Sequence, residues 1–179
     1  MTTRRRLLLA WMGLGLAALC APAVLTMPAH GRVLLIYNPS DSVRRGWYSV
    51  DPVASPGSLH VGSIVLAQLP AEVAAFAAQR GYLPSGVPLL KRIGAVAPQS
   101  VCVQEQVIRI DGDIAATART HDGMRRPLTD WQQCRHLGRG ELFLLSNTNP
   151  ASFDSRYFGP IAASAVIGIA RPLWTWGTP

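Results

Sequence analysis

The chain has 179 residues, 49% of them hydrophobic and 15% charged, with a formal net charge of +7. That length suits one domain able to bury a core without relying on disulfides, and so few charges favour a membrane-associated protein over a solvated cytosolic one. Outside Arg4-Arg5-Arg6 the basic residues stand singly or in pairs, with no basic helix face, zinc-ligand spacing or aromatic RNA-binding signature, so nucleic acid is not an expected partner.

The N-terminus comes first. Three arginines, residues 4–6, precede an uncharged apolar run from Leu7 to Met27. As a helix this run would span roughly 30 Å, about one hydrocarbon core. The arginines predict a cytoplasmic segment at 1–6, a transmembrane anchor at 7–27 and an exported domain at 32–179. A cleaved signal peptide is the alternative. Against it, Ala21-Pro22-Ala23 places proline inside the small-residue site, and Leu19 before Cys20 is bulky where a lipoprotein signal needs a small residue. Either way the domain is expected on the periplasmic side of a bacterial cytoplasmic membrane, soluble there if the segment is cleaved.

The exported part reads as β-rich with one short helix. Arg32 to Tyr37 is apolar and strand-like, and strand character resumes at Trp47 to Val50. Pro52 to Gly57 is a turn, and Gly62 to Leu69 another strand. The period then changes, and the alanine-rich stretch with Pro70 before it and Gly81 after it predicts a helix over 71–80. Val87 to Ala97 should be a buried strand with Lys91 at its middle. Val101 to Val103, Gln106 to Ile110 and Ile114 to Ala116 are strand-like, with Asp111-Gly112 as a hairpin turn. Thr120 to Gly140 is polar and irregular. Glu141 to Leu145 is a strand, Asn147 to Phe158 a loop, Ala162 to Ala170 a final strand and Pro172 to Pro179 a tail with Trp174 and Trp176. Cys102 and Cys134 pair up in an oxidising compartment, where two free buried thiols are the less favoured reading. Such a bond would stabilise by roughly 3–4 kcal/mol.

Chemistry centres on NPSDSVRRGWY, Asn38 to Tyr48. A serine nucleophile needs a base within hydrogen-bond reach. None of His30, His60, His121 or His136 lies in a triad motif, no G-x-S-x-G elbow exists, and no acidic or histidine pair has metal-ligand spacing, so no metal or cofactor is expected. The remaining activator is a neutral lysine. Of the 17 basic residues only Lys91 is a lysine. Its neighbours Leu89, Leu90 and Ile93 are apolar, and burial would lower its pKa as a general base requires.

Three segments together resemble the type I signal peptidase family of membrane-anchored Ser/Lys proteases. They are Asn38 to Tyr48, then Leu90-Lys91-Arg92-Ile93, then Ser152-Phe153-Asp154-Ser155-Arg156-Tyr157-Phe158-Gly159, which is close to that family's S-x-D-S-R-Y-W-G box. Within it the chain is most similar to the TraF-type conjugative transfer branch, through Asn38, Ser40, Ser42, Gly46 and Tyr48, through Arg80-Gly81-Tyr82-Leu83 and through the cysteine pair. It departs at Arg44, where that branch has proline, and at Ser146-Asn147-Thr148, where the family has Gly-Asp-Asn.

The resemblance implies a signal-peptidase-like β-rich fold. It makes Ser42 the nucleophile, Lys91 the general base, and the Ser42 N–H and Ser40 hydroxyl the oxyanion hole. Ser152 would orient Lys91. Asp154 and Arg156 would brace the loop, and Asn38 would fix the serine turn. The implied activity is endoproteolysis of an exported precursor, most often a pilin-like protein in conjugative transfer, with cyclisation as one way to resolve the ester. Expected partners are that precursor, the cytoplasmic membrane and a type IV secretion or conjugation apparatus. A general leader peptidase and an inactive relative acting in assembly are the rival readings.

Overall fold

The computed structural model describes residues 33–54, 56–146 and 148–177. These belong to one compact unit that begins at Val33. The expected cytoplasmic segment and anchor, 1–27, lie outside the described residues, and among the described residues no helix is long and apolar enough to cross a membrane.

The fold is mainly β. In chain order the elements are β1 Leu34–Asn38, β2 Arg45–Pro52, β3 Ile64–Ala67, α1 Ala71–Arg80, β4 Leu89–Val96, β5 Ser100–Gln104, β6 Val107–Ile110, β7 Asp113–Thr117, β8 Cys134–His136, β9 Glu141–Leu144, α2 Ser155–Phe158, β10 Ile161–Ala162 and β11 Val166–Trp176. They form two sheets, one of seven strands in the order β1-β2-β11-β3-β4-β9-β10 and one of four in the order β7-β6-β5-β8. Neighbouring strands run antiparallel throughout.

Helix α1 has the bounds expected from its alanine run. Gly81 closes it in the left-handed region at φ 71°, and its N–H returns to the carbonyls of Ala77 and Ala78. The helix lays Ala77, Val73 and Ala74 on a core that includes Val65, Leu89, Ile93, Leu142 and Leu144. Strand alternation decides what else meets that core. Leu89, Lys91 and Ile93 share one face of β4, and Lys91 sits directly opposite Val65 of β3. The lysine is therefore set among aliphatic side chains.

A second core, with Val101, Val103, Ile108, Phe143 and Leu145, joins the smaller sheet to β9. The expected hairpin is present, and Asp111 and Gly112 both take positive φ, 52° and 92°, as a type I′ turn requires. Cys102 and Cys134 face each other across β5 and β8 and are disulfide-bonded.

Three expectations are corrected. The tail after Pro172 is not a coil, because β11 continues to Trp176 and pairs with β2 as far as Arg45. Its register shifts between Pro172 and Trp174, and such a bulge lets a strand carry proline. Cys134 to His136, inside the stretch read as irregular, forms β8. The loop at 147–158 ends in one helical turn, α2, capped by the Asp154 side chain.

Candidate active site

The loop between β1 and β2 is built around Asn38, which is 4% exposed. Its Nδ2 donates to the carbonyls of Ser40, Val43 and Arg44 at 2.9, 3.2 and 3.0 Å. Its Oδ1 accepts from the Ser40 N–H at 3.1 Å and the Ser40 hydroxyl at 2.8 Å. One amide thus ties five polar groups of a single turn. The buried Tyr48 hydroxyl adds a bond to the Arg44 carbonyl at 2.6 Å. Outside, Arg45 forks onto Asp41 at 2.5 and 2.7 Å.

Val43 docks this loop by burying itself with Leu66 of β3 and Leu90 of β4. Two strands separate β2 from β4 in the sheet, a distance of about 14 Å if it were flat. Folding the loop over β3 and β4 closes that gap. Gly46 makes the start of β2 possible: its φ is 138°, and a Cβ there would lie 2.2 Å from the Trp174 carbonyl oxygen of β11.

The result brings together three groups named from sequence. Lys91 Nζ is hydrogen-bonded to Ser42 Oγ and, at 2.5 Å, to Ser152 Oγ, and the two hydroxyls are 3.3 Å apart. Lys91 is 2% exposed. Burial pushes its amine down to about 8, against an opposing pull from the nearby Asp154 carboxylate and a further push from Arg156. The ammonium is thus discharged from about 8 upward rather than only above 10, and the free amine can take a proton from a hydroxyl it touches.

Asp154 and Arg156 are fully buried and do not touch Ser42. Arg156 pairs with Asp154 at 2.7 and 3.0 Å, and donates to the carbonyls of Thr117 and Ser146, each at 2.6 Å. Asp154 also accepts from the Ser146 N–H at 3.0 Å. The pair therefore pins the end of β9 and the end of β7 to the segment carrying Ser152. Ser155 adds a bond from the Leu144 N–H at 2.9 Å. Asn147 lies outside the described residues. Ser40 faces Asn38 rather than the lysine, which places it in the loop scaffold of this conformation.

The three groups open on a cleft of about 920 Å³, lined by Ile36, Leu66, Leu83, Leu90 and Phe153 among others. Part of its lining was not legible in the sequence. Tyr82 and a segment around Asp122 also contribute. The one available signal was Asp122 followed by Gly123, a turn pair whose carboxylate accepts from the N–H two residues on, as Asp122 does from Met124 at 2.9 Å. Among the described residues no cluster of His, Cys, Asp and Glu could hold a metal ion.

The model of the family described as signal peptidase, peptidase S26, matches residues 6–176. The chain is 33% identical over 109 residues to the plasmid transfer protein TraF of Escherichia coli, a match covering 56% of this chain and 61% of that protein. It is 31% identical over 174 residues to the probable conjugal transfer protein TraF of Sinorhizobium fredii, covering 91% and 89%. A solved signal peptidase I from Enterococcus faecalis is 18% identical, covers 62% of this chain and 94% of its own, and has a TM-score of 0.37, too low to argue from. The extent of the family match, together with the Ser42, Lys91 and Ser152 geometry, makes this chain a member of the signal peptidase family, peptidase S26.

Proposed function

We propose that the protein is a serine endopeptidase in which Ser42 and Lys91 form the catalytic dyad. The observation that carries this reading is the buried Lys91 amine, bonded to Ser42 Oγ and lowered to about 8. Neutral Lys91 accepts the Ser42 proton as Oγ attacks the scissile carbonyl. The Ser42 N–H and the Ser40 hydroxyl, turned away from Asn38, donate to the developing oxyanion. Lys91 then protonates the leaving amine, and an ester on Ser42 remains. A second nucleophile, water or the N-terminal amine of a substrate, gives its proton to Lys91 as it attacks the ester, and Lys91 passes that proton to Ser42 Oγ as it leaves, restoring the serine and the neutral amine. Ser152 keeps the amine aimed at Ser42, and Asp154 with Arg156 holds the segment that carries Ser152.

The substrate is an exported precursor, with a pilin-like protein of a conjugation apparatus favoured by the TraF relatives. The site of action is the periplasmic face of the cytoplasmic membrane. A row of exposed aromatics supports a bilayer surface nearby: Tyr37 opposes Trp47 across β1 and β2, Trp47 opposes Trp174 across β2 and β11, and Trp176 lies 6.0 Å from Tyr37. Mass spectrometry of the candidate pilin from cells with and without Ser42 tests the reading and reports cleavage site and cyclisation together. Processing that persists in Ser42→Ala cells would refute it.

A further inference from the structure

Residues 120–128 fold into a small finger. The Leu128 N–H donates to the Thr120 carbonyl at 2.8 Å, His121 and Pro127 bridge, and the Asp122 N–H donates to the Arg126 carbonyl at 3.0 Å. His121, Asp122, Gly123 and Leu128 line the same cleft as Ser42 and Lys91. The finger's position is therefore part of the cleft's shape.

What holds it there is a polar clamp onto the C-terminal end of α1. The Tyr82 hydroxyl donates to Asp122 Oδ2 at 2.6 Å, and Arg126 Nε donates to the same oxygen at 2.6 Å. Asp122 Oδ1 takes the N–H groups of Met124 and Arg126, each at 2.9 Å. Arg126 reaches on to the Arg80 carbonyl at 2.8 Å, and Arg80 returns a bond to the Pro127 carbonyl at 3.0 Å. The Asp122 side chain is 7% exposed, so these bonds replace its water rather than decorate a surface. The guanidinium of Arg126 lies 5.5 Å from the Tyr82 ring centre, and that of Arg80 lies 4.7 Å from the Phe76 ring centre. Tyr82 itself lines the cleft, and its ring packs tilted against that of Phe153 at 5.1 Å, next in the chain to Ser152. A single carboxylate therefore fixes two parts of the cleft lining, the finger and the Tyr82 ring.

We propose that Asp122 is a specificity-determining positioning residue: through Tyr82 and Arg126 it locks the 120–128 finger against α1 and so sets which peptide side chains the cleft accepts. It acts on binding and not on the acyl-transfer step, because its contacts run to the finger and α1 and not to Ser42, Lys91 or Ser152. This inference rests on the serine peptidase reading.

The test uses the full-length protein and a set of fluorogenic peptides with Ala, Ser or Gly before the scissile bond and varied residues upstream. Two variants are compared with the parent, Asp122→Asn and Tyr82→Phe, the second keeping the ring and removing only the hydroxyl. Affinity is measured separately by fluorescence anisotropy in a Ser42→Ala background. The expected result is a KM and a Kd raised about tenfold for Asp122→Asn and about threefold for Tyr82→Phe, single-turnover rates at saturation within about twofold of the parent, and flattened discrimination across the set. If Asp122→Asn does not fold, Tyr82→Phe decides alone. Unchanged Kd and unchanged discrimination, or a fall in the single-turnover rate with KM unchanged, would overturn the proposal. Cleavage by the parent that survives Ser42→Ala would instead overturn the peptidase reading, so the two failures are distinct.

Discussion

Asn38 and Tyr48 converge on one oxygen: the amide of the first and the hydroxyl of the second both donate to the Arg44 carbonyl, at 3.0 and 2.6 Å. This explains how the serine loop keeps its form with arginine at position 44, where the resemblance led to the expectation of proline. The loop uses the backbone of residue 44, and the Arg44 side chain is exposed. Arg44→Ala should therefore change stability by no more than about 0.5 kcal/mol and leave kcat intact. Tyr48→Phe should cost about 1 kcal/mol in urea unfolding and lower kcat, since the Arg44 carbonyl loses one of its two donors in the loop that carries Ser42.

The pH profile should report Lys91. Below about 8 the amine holds its proton and cannot take that of Ser42, so kcat/KM should rise through a single limb near 8 and level off above it. Stopped-time peptide cleavage across pH 6 to 10 checks this, on the order of one point per half unit.

Stability should depend on the same group with a definite sign. The folded-state value, about 8, lies below the ordinary 10.5, so the unfolded chain binds more protons between them. Stability should accordingly rise with pH across that window and flatten above it. Lys91→Met removes the buried amine, leaves the Ser42 and Ser152 hydroxyls as each other's neighbours, and should abolish that slope. Near neutral pH the variant should be more stable by on the order of 3 kcal/mol, read as urea midpoint against pH.

Arg156 and Asp154 are both fully buried and paired. Arg156→Met strands a buried carboxylate and two carbonyls, and should cost about 3–5 kcal/mol. Adding Asp154→Asn should recover part of that loss, and a double-mutant cycle by urea unfolding measures the recovery.

Much of this architecture was legible in the residues, for physical reasons. Helix α1 was readable to the residue because alanines fill it and Gly81 ends it. Lys91 was readable as the lone lysine in an apolar strand, and Ser42 and Ser152 through the resemblance of their segments to those of the signal peptidase family. The structure brings all three within hydrogen-bond distance. Strand β8 was not readable: it has three exposed residues, with neither alternation nor an apolar face. The end of β11 was hidden by Pro172, which normally argues against a strand and here sits at the bulge. The Asp122 clamp was hidden because its partners, Arg80, Tyr82 and Arg126, come together only when the finger packs on α1.

If Ser42 is the nucleophile and Lys91 its base, intact-protein mass spectrometry after acid quench during turnover of a cleavable peptide ester will catch the acylated serine. An acyl adduct is expected that maps to the segment containing Ser42, is absent from Ser42→Ala, and forms at least about a thousandfold more slowly in Lys91→Arg. An adduct on another residue, or parent-like acylation in Lys91→Arg, would contradict it.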